Sequence, residues 1–379
     1  MNNAKIITVE WGRLDAKRPR SAGANARLGV HGDHVSLPLV RLTTDTGGTG
    51  FGFSWAGPDS AGALLGMPLD ALFSAADGVL EPGRACEFPL WDLIGQMQQK
   101  PVYALAAAVN SQPVPETLRV PCYDTSLYFD DLHLSSTADA AALMAGEARE
   151  GLAFGHRAFK LKVGRGARHL PPDDGLARDI AVIQAVREAV GPDCKLLLDA
   201  NNGYTLNLAK QVLTETAGCG VTWLEEAFHE DDVLYKDLKA WLTECNLPVL
   251  IADGEGDASL RLLDWAKAGL VDVVQYDIFG YGFTPWLHLG RRLDAWGVRS
   301  APHHYGGLYG NYASGHLAAA LRRFTYVEWD AALAPGLDTS RYSLEDGHVV
   351  IPNAPGFGLS LDESEFRRAV AENGGSVSY

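Results

Sequence analysis

The chain has 379 residues, 47% of them hydrophobic, which is enough for one large folded domain plus a smaller one. A formal net charge of -15 argues against a nucleic-acid partner, because phosphate binding needs a basic footprint, yet a cleft holding lysines or a metal still suits a small anion. Five scattered cysteines without CxxC spacing, no apolar run of membrane-spanning length and an N-terminus without a signal-peptide core point to a soluble, cytoplasmic protein.

Ile6 to Leu14 alternates and reads as a first strand. Ser36 to Thr44 and Phe51 to Trp55 read as two more, joined through the turn Asp45-Thr46-Gly47-Gly48. Between the first two lies Asp15 to Asp33, rich in Gly, Ala and Arg and without a hydrophobic period. It is expected to be a long functional loop closing over the ligand, with Arg18, Arg20 and Arg27 as candidates to meet a distal carboxylate or hydroxyl. From Pro58 to Asn110 the pattern turns helical, with Leu90, Trp91 and Ile94 on one face. Strands followed by helices describe an α+β domain, expected over residues 1–117.

The texture changes near Thr117. Leu118 to Leu127 and Ala158 to Gly164 read as strands flanking a helix from Ala138 to Glu150. A polar, Pro-containing insertion, Arg165 to Asp174, leads into a helix from Leu176 to Val190 that Gly191 ends. Three apolar runs then each finish on acid: Leu196-Leu197-Leu198-Asp199, Val221 to Glu225-Glu226, and Pro248 to Asp253-Gly254-Glu255. Thr205 is placed to cap the helix after the first, and helices are expected at Tyr235 to Thr243 and Ser259 to Lys267. Asp272 to Asp277, Val298 to His303 and Phe324 to Glu328 follow as strands, separated by helices at Pro285 to Trp296 and Tyr312 to Leu321. About eight short buried strands alternating with helices is the count of a (β/α)8-type barrel, expected over residues 118–335. The turn-rich tail, within 336–379, is expected to return to the N-terminal domain.

In such a barrel the carboxyl ends of the strands converge on one mouth. A single strand-end acid is most often solvated, but Asp199, Glu225 and Glu255 stand at the same point of successive repeats. Three converging carboxylates repel one another, so a cation is expected between them, and an all-oxygen set suits one Mg²⁺, with Mn²⁺ as a substitute. Lys160 and Lys162 share one face of their strand, and inward they need carboxylates opposite. Asp277, His303 and Glu328 close further strands, giving a histidine with an acid to orient it.

Taken together, Lys160-Leu161-Lys162, the three acids, Asp277 with His303, Glu328 and the pair Trp91-Asp92 resemble the enolase superfamily, within it the mandelate racemase-like subgroup. The resemblance spans nearly the whole chain and implies a (β/α)7β barrel beneath an N-terminal α+β cap that the C-terminal tail completes. It implies that Lys162 is a base, that Asp277 and His303 form a dyad, and that Lys160, and Glu328 if protonated, assist. Ala227 after Glu225-Glu226, the doubled His303-His304, Asp253 beside Glu255 and the insertion depart from that pattern and leave the pocket open. The implied chemistry is Mg²⁺-dependent removal of the proton alpha to a carboxylate. Lys160 beside Lys162, together with the cation, is expected to lower the Lys162 pKa. By analogy with acid-sugar dehydratases, loss of a beta-hydroxyl from an aldonate or aldarate would follow, giving a 2-keto-3-deoxy acid. A racemase or epimerase on the same site, an aldolase and a non-catalytic metal-binding barrel stay open. The expected partners are a small carboxylate substrate and further copies of the chain, with no nucleic acid and no membrane.

Overall fold

The structure, a computed structural model, describes residues 4–379. Strand β1 (Ile6–Ala22) pairs antiparallel with β2 (Gly32–Thr44), which pairs with β3 (Thr49–Phe53). The expected loop from Asp15 to Asp33 is therefore half strand, and only residues 23–31 bridge β1 and β2. Burial along this half of β1 does alternate, with Leu14, Ala16 and Arg18 inward and Asp15, Lys17 and Pro19 outward. The buried position at Arg18 carries a charge, which hides the period from a hydrophobicity count.

Helix α1 (Glu87–Gln98) lies so close on β3 that a Cβ at Gly50 would sit 2.3 Å from the backbone nitrogen of Leu93. Helix α2 (Val102–Val109) follows. The stretch from Pro58 is less helical than its composition suggests: Pro58–Gly62 makes one short helix, and Phe73–Ser74 pairs with Gly78–Val79 as a small hairpin.

Among the described residues, eight parallel strands form the barrel: β4 (Leu118–Leu127), β5 (Ala158–Lys162), β6 (Lys195–Asp199), β7 (Val221–Glu225), β8 (Leu250–Asp253), β9 (Val273–Val274), β10 (Arg299–Ser300) and β11 (Val327–Trp329). Strand β11 pairs back onto β4, and a bridge between Ser300 and Phe324 joins β10 to the segment that leads into β11, so the sheet closes. The helices between are α3 (Thr137–Phe154), α4 (Pro172–Val190), α5 (Leu206–Glu215), α6 (Asp232–Glu244), α7 (Leu262–Lys267), α8 (Phe283–Trp296) and α9 (Gly310–Ala313). Thr205 caps α5 as expected, accepting from the Leu208 nitrogen. Among the described residues, no helix is long and apolar enough to cross a membrane.

The expected polar insertion is largely exposed but anchored at its start. Its first residue, Arg165, is fully buried, with Asp131 at 2.6 Å and Asp179 at 2.7 Å, and its last three belong to α4. The tail also divides. Strands β12 (Ser343–Glu345) and β13 (His348–Ile351) make a hairpin on barrel strand β4, while α10 (Glu363–Asn373) and β14 (Gly375–Ser378) go to β1 of the cap sheet.

Two buried side chains tie these layers. The Trp91 indole donates to Thr284 on α8 at 3.0 Å. Asp92 accepts from the Phe51 nitrogen of β3 at 3.1 Å and from the Phe357 nitrogen of the tail at 2.9 Å. Burial pushes its carboxyl up to about 7 against those hydrogen bonds.

Candidate active site

The barrel interior is plugged low down by Tyr123, Ala158, Leu197, Trp223, Ala252, Val273 and Ala301. Two residues further along a strand the side chain faces the same way. Ala158 is thus followed inward by Lys160 and Lys162, Leu197 by Asp199, and Trp223 by Glu225. Ladder pairing sets Lys162 opposite Asp199, and Asp199 opposite Glu225, in one row across β5, β6 and β7. Glu255 joins them from beyond the end of β8, carried round by Gly254.

Ligand atoms of Asp199, Glu225 and Glu255 all lie within 4.8 Å of one another. Glu225 Oε2 is buried and accepts no hydrogen bond, so the cluster keeps an oxygen free for a cation. The donor set is oxygen only, which suits Mg²⁺ and Mn²⁺. Asn201 steadies two of the three ligands: its backbone nitrogen donates to Asp199 Oδ1 at 3.0 Å and its side chain to Glu255 Oε1 at 3.1 Å. Asp253 stays outside the cluster, taking the Tyr235 hydroxyl at 2.7 Å, and burial pushes its carboxyl well up.

The two lysines divide. Lys160 lies 2.9 Å from Glu225 Oε1 and 3.4 Å from both Asp199 and Glu328. Burial opposes its charge, but Glu225 and Glu328 raise its pKa well above the usual value, so it is a fixed cation. Lys162 hydrogen-bonds Asp199 Oδ2. Burial lowers its pKa, as does Lys160, but among the protein's own groups Asp199, with Glu255 and Glu225, outweighs them; a cation on those acids acts with Lys160 in the opposite sense, the other half of the expectation.

Across the mouth, His303 Nδ1 donates to Asp277, and its Nε2 lies 3.1 Å from Glu255 Oε2 and 3.8 Å from Glu328. Burial would lower the imidazole, yet Glu255, Glu328 and Asp277 push it up to about 10. Glu328, expected to assist if protonated, sits among cations and donors. Burial raises its carboxyl, but Lys160, His303 and His304 hold it well below the usual range, and Thr125 and the His304 nitrogen donate to it at 2.8 Å each. His304 is buried, its Nε2 on the Glu328 carbonyl at 2.7 Å. All eight residues expected from the sequence thus meet at one mouth.

The arginines of the expected loop behave differently. Arg18 spends its guanidinium on Asp330, at 2.7 Å, and Arg20 on Asp130 and Glu147, at 3.2 and 3.3 Å. Arg27 lies 3.8 Å from Glu226 and lines a cavity of about 490 Å³ beside the acidic cluster. The cap instead brings His31, which no motif in the sequence singles out. Its ring meets those of Tyr128 and Tyr305 edge-on at 5.0 and 5.3 Å. A histidine before Gly32, in a chain with only eleven, is the one signal the sequence offers for it.

Comparison with known proteins agrees with this geometry. Galacturonate dehydratase from Geobacillus sp., solved with D-galacturonate and 5-keto-4-deoxy-D-galacturonate, is 47% identical over 99% of both chains with a TM-score of 0.94, and a mutant of it was solved with Mg. Arabinonate dehydratase from Saccharolobus solfataricus is 28% identical over 73% of this chain and 69% of its own. L-Ala-D/L-Glu epimerase from Bacillus subtilis is 26% identical over 94% of this chain and 96% of its own. Mg²⁺ is the cation that the acidic cluster fits. Residues 143–365 match the family model described as enolase C-terminal domain-like, which is more than half of the length, so the chain belongs to that family and to the enolase superfamily.

Proposed function

We propose that the protein is a hydro-lyase that dehydrates a hexuronate, taking the proton alpha to the carboxylate and expelling the beta-hydroxyl as water. The observation that carries the reading is the bracketing of the acidic cluster: Lys162 stands on Asp199 at one side, and His303, itself held by Asp277, stands against Glu255 at the other. One group can take a proton from carbon while the second, on a separate side, gives one to a leaving oxygen. A uronate is favoured over the aldonate or aldarate expected from the sequence because of the galacturonate dehydratase likeness along the whole chain. In a hexuronate the carbon beside the carboxylate is C5 and the beta-hydroxyl is on C4, so this chemistry yields a 5-keto-4-deoxy acid.

Mg²⁺ held by Asp199, Glu225 and Glu255 would supply electrostatic stabilisation of the charge that grows on the substrate carboxylate. Lys160, a fixed ammonium in the same layer, adds to it. Lys162 accepts the alpha proton in its neutral form, which Lys160 favours and Asp199 opposes. His303 delivers a proton to the C4 oxygen, the C–O bond breaks, and the resulting enol tautomerises to the ketone. Glu328, ionised, supports His303 and Lys160 rather than donating a proton.

The same reading assigns 1–117 to a cap, 118–335 to the barrel and 336–379 to a returning segment. It takes the enzyme as cytoplasmic, in keeping with its free cysteines, and as a homo-oligomer, in keeping with exposed Val30, Phe154 and Leu333.

The two bases can be separated. His303→Asn should lose keto-acid formation by about 10²–10⁴-fold, the usual contribution of a general acid, yet still exchange the alpha proton with deuterium from solvent. Lys162→Ala should lose both. The reverse pattern would hand the base role to His303. Wild-type enzyme that inverts the alpha carbon without releasing water would make the protein an epimerase, the reading the B. subtilis relative favours.

A further inference from the structure

The insertion that follows Lys160-Leu161-Lys162 begins with a residue the reaction does not yet use. Arg165 is fully buried, and its guanidinium is spent inside the protein. Nε and Nη2 donate to Asp131, at 3.1 and 2.6 Å, while Nη1 donates to Asp179 at 2.7 Å and to the Lys162 carbonyl at 3.4 Å. Asp131 and Asp179 are themselves fully buried, and Arg178 adds a second cation 3.6 Å from Asp131. Two cations and two carboxylates thus sit in the interior directly behind the lysine strand. Such a network adds little to stability, because desolvation offsets the attraction, so its use lies in the geometry it imposes.

That geometry bears on Lys162 from three strand exits. Strand β5 ends at Lys162, and the turn beyond it is held by Asp179 Oδ2, which accepts from the Gly164 nitrogen at 2.7 Å and from the Arg165 nitrogen at 3.3 Å. Gly164 stands at φ 94, a left-handed turn that suits glycine. From the exit of β6, beyond Asp199, the Tyr204 hydroxyl donates to the same carboxylate oxygen at 2.8 Å. One oxygen therefore joins the strand end that carries Lys162 to the strand end that carries Asp199, the acid that Lys162 hydrogen-bonds. From the exit of β4, Asp131 holds the Arg165 guanidinium over the Phe129 ring, 4.3 Å from its centre, and the adjoining Tyr128 presents its ring 5.3 Å from the Lys162 ammonium. Arg178 steadies that exit by donating to the carbonyls of Leu134 and Ser135, at 2.9 and 3.1 Å.

A base works only where its nitrogen reaches the proton, and a displacement of about 1 Å costs on the order of a hundredfold in rate. We infer that Arg165 and Asp179 are positioning residues: with Asp131 and Tyr204 they fix where Lys162 stands beside Asp199, and so set the rate of proton removal without touching substrate. The inference rests on the reading above that Lys162 is the base.

The test uses Arg165→Lys, which keeps the charge but loses the planar fork, and Tyr204→Phe, which takes one hydroxyl from Asp179 and leaves the buried charges paired. Each is made in the wild-type chain and in the His303→Asn background, where exchange of the alpha proton of galacturonate with deuterium reads proton removal without elimination. Calorimetric titration with Mg²⁺ counts the competent sites, so that a smaller folded fraction is not read as a slower step. At saturating Mg²⁺, kcat per site should fall by about tenfold to a hundredfold in Arg165→Lys and by less in Tyr204→Phe, with KM changing less than kcat. Exchange per site in the His303→Asn background should fall by the same factor as kcat. Unchanged kcat per site in both variants overturns the inference. So does a fall in kcat that leaves exchange intact, because the network would then act on elimination. Where Arg165→Lys does not fold, Tyr204→Phe is held to the same outcomes. Exchange that survives Lys162→Ala overturns the reading of Lys162 as base and the inference with it. Wild type that exchanges the alpha proton without forming keto acid overturns the dehydratase reading alone, since exchange still measures the step that Arg165 and Asp179 serve.

Discussion

At the scale of single residues, Asp199 serves several neighbours in the mouth at once. It faces the cation position, takes the Lys162 ammonium, and accepts the Asn201 amide at 3.0 Å. Asp199→Asn keeps the shape but removes one of three negative ligands, so Mg²⁺ affinity should fall by at least about tenfold, read by titration calorimetry. Unchanged affinity would take Asp199 out of the ligand set. These acids are legible in the sequence because each ends an apolar strand, and period two then carries the charged layer up from the apolar plug. Asn201 is less visible, since its part depends on a side chain bridging Glu226 and Glu255 from a backbone at φ 41, a left-handed turn that composition does not announce. His31 is hidden for a different reason: what singles it out is the absence of a partner in space, which no spacing records.

At the scale of elements, the cap reaches the mouth through the short bridge from 23 to 31, and its seat is built from glycines. Ala26 lies in a notch between β5 and β6, where a Cβ at Gly203 would fall 2.7 Å from the Ala26 Cβ and one at Gly164 would fall 3.0 Å from it. Ala24, Ala26 and Phe129 pack there as a small apolar cluster. Gly203→Ala should therefore push against the bridge and also against the Ala200 carbonyl, 2.8 Å from the added Cβ, an overpacking cost of about 1–3 kcal/mol. A raised KM for the sugar acid together with a lowered melting temperature is the expected pair of readings, and an unchanged KM would mean that the bridge does not close over substrate. The arm that carries this bridge shows where periodicity misleads. β1 runs to Ala22 with clean inward alternation, but its inward residue at position 18 is an arginine whose partner, Asp330, lies 312 residues away. A long-range ion pair stabilises the strand where an aliphatic side chain was expected, so half a strand reads as loop. The barrel strands are easier to find because they are buried on both faces and read as unbroken apolar runs.

At the scale of the whole molecule, Asp92 joins three parts distant in sequence: it stands on α1, binds the Phe51 nitrogen of β3 and binds the Phe357 nitrogen of the tail. The pair Trp91-Asp92 is visible in the sequence only as a likeness, and its physical role is this junction, with the Trp91 indole reaching Thr284 of the barrel layer. The junction carries a pH dependence whose sign follows from its burial. An aspartate in the unfolded chain titrates near 4, whereas burial holds Asp92 up to about 7. Between these values the folded protein keeps a proton that the unfolded chain has lost. Stability from this group is fully present below pH 4, drains away as pH rises through about 7, and is flat beyond. The interval between those two pKa values corresponds to about 4 kcal/mol at most. Asp92→Asn cannot ionise, but it turns a donor toward one of the two backbone N–H groups, which costs about 1–3 kcal/mol at any pH. Measured by denaturant unfolding from about pH 3.5 to about 7.5, a window bracketing the two pKa values, the advantage of wild type over Asp92→Asn should shrink as pH rises and, at the full loss, reverse. A gap that stays constant across that range would show that Asp92 is ionised in the fold, with its two N–H donors and Gln96 outweighing burial.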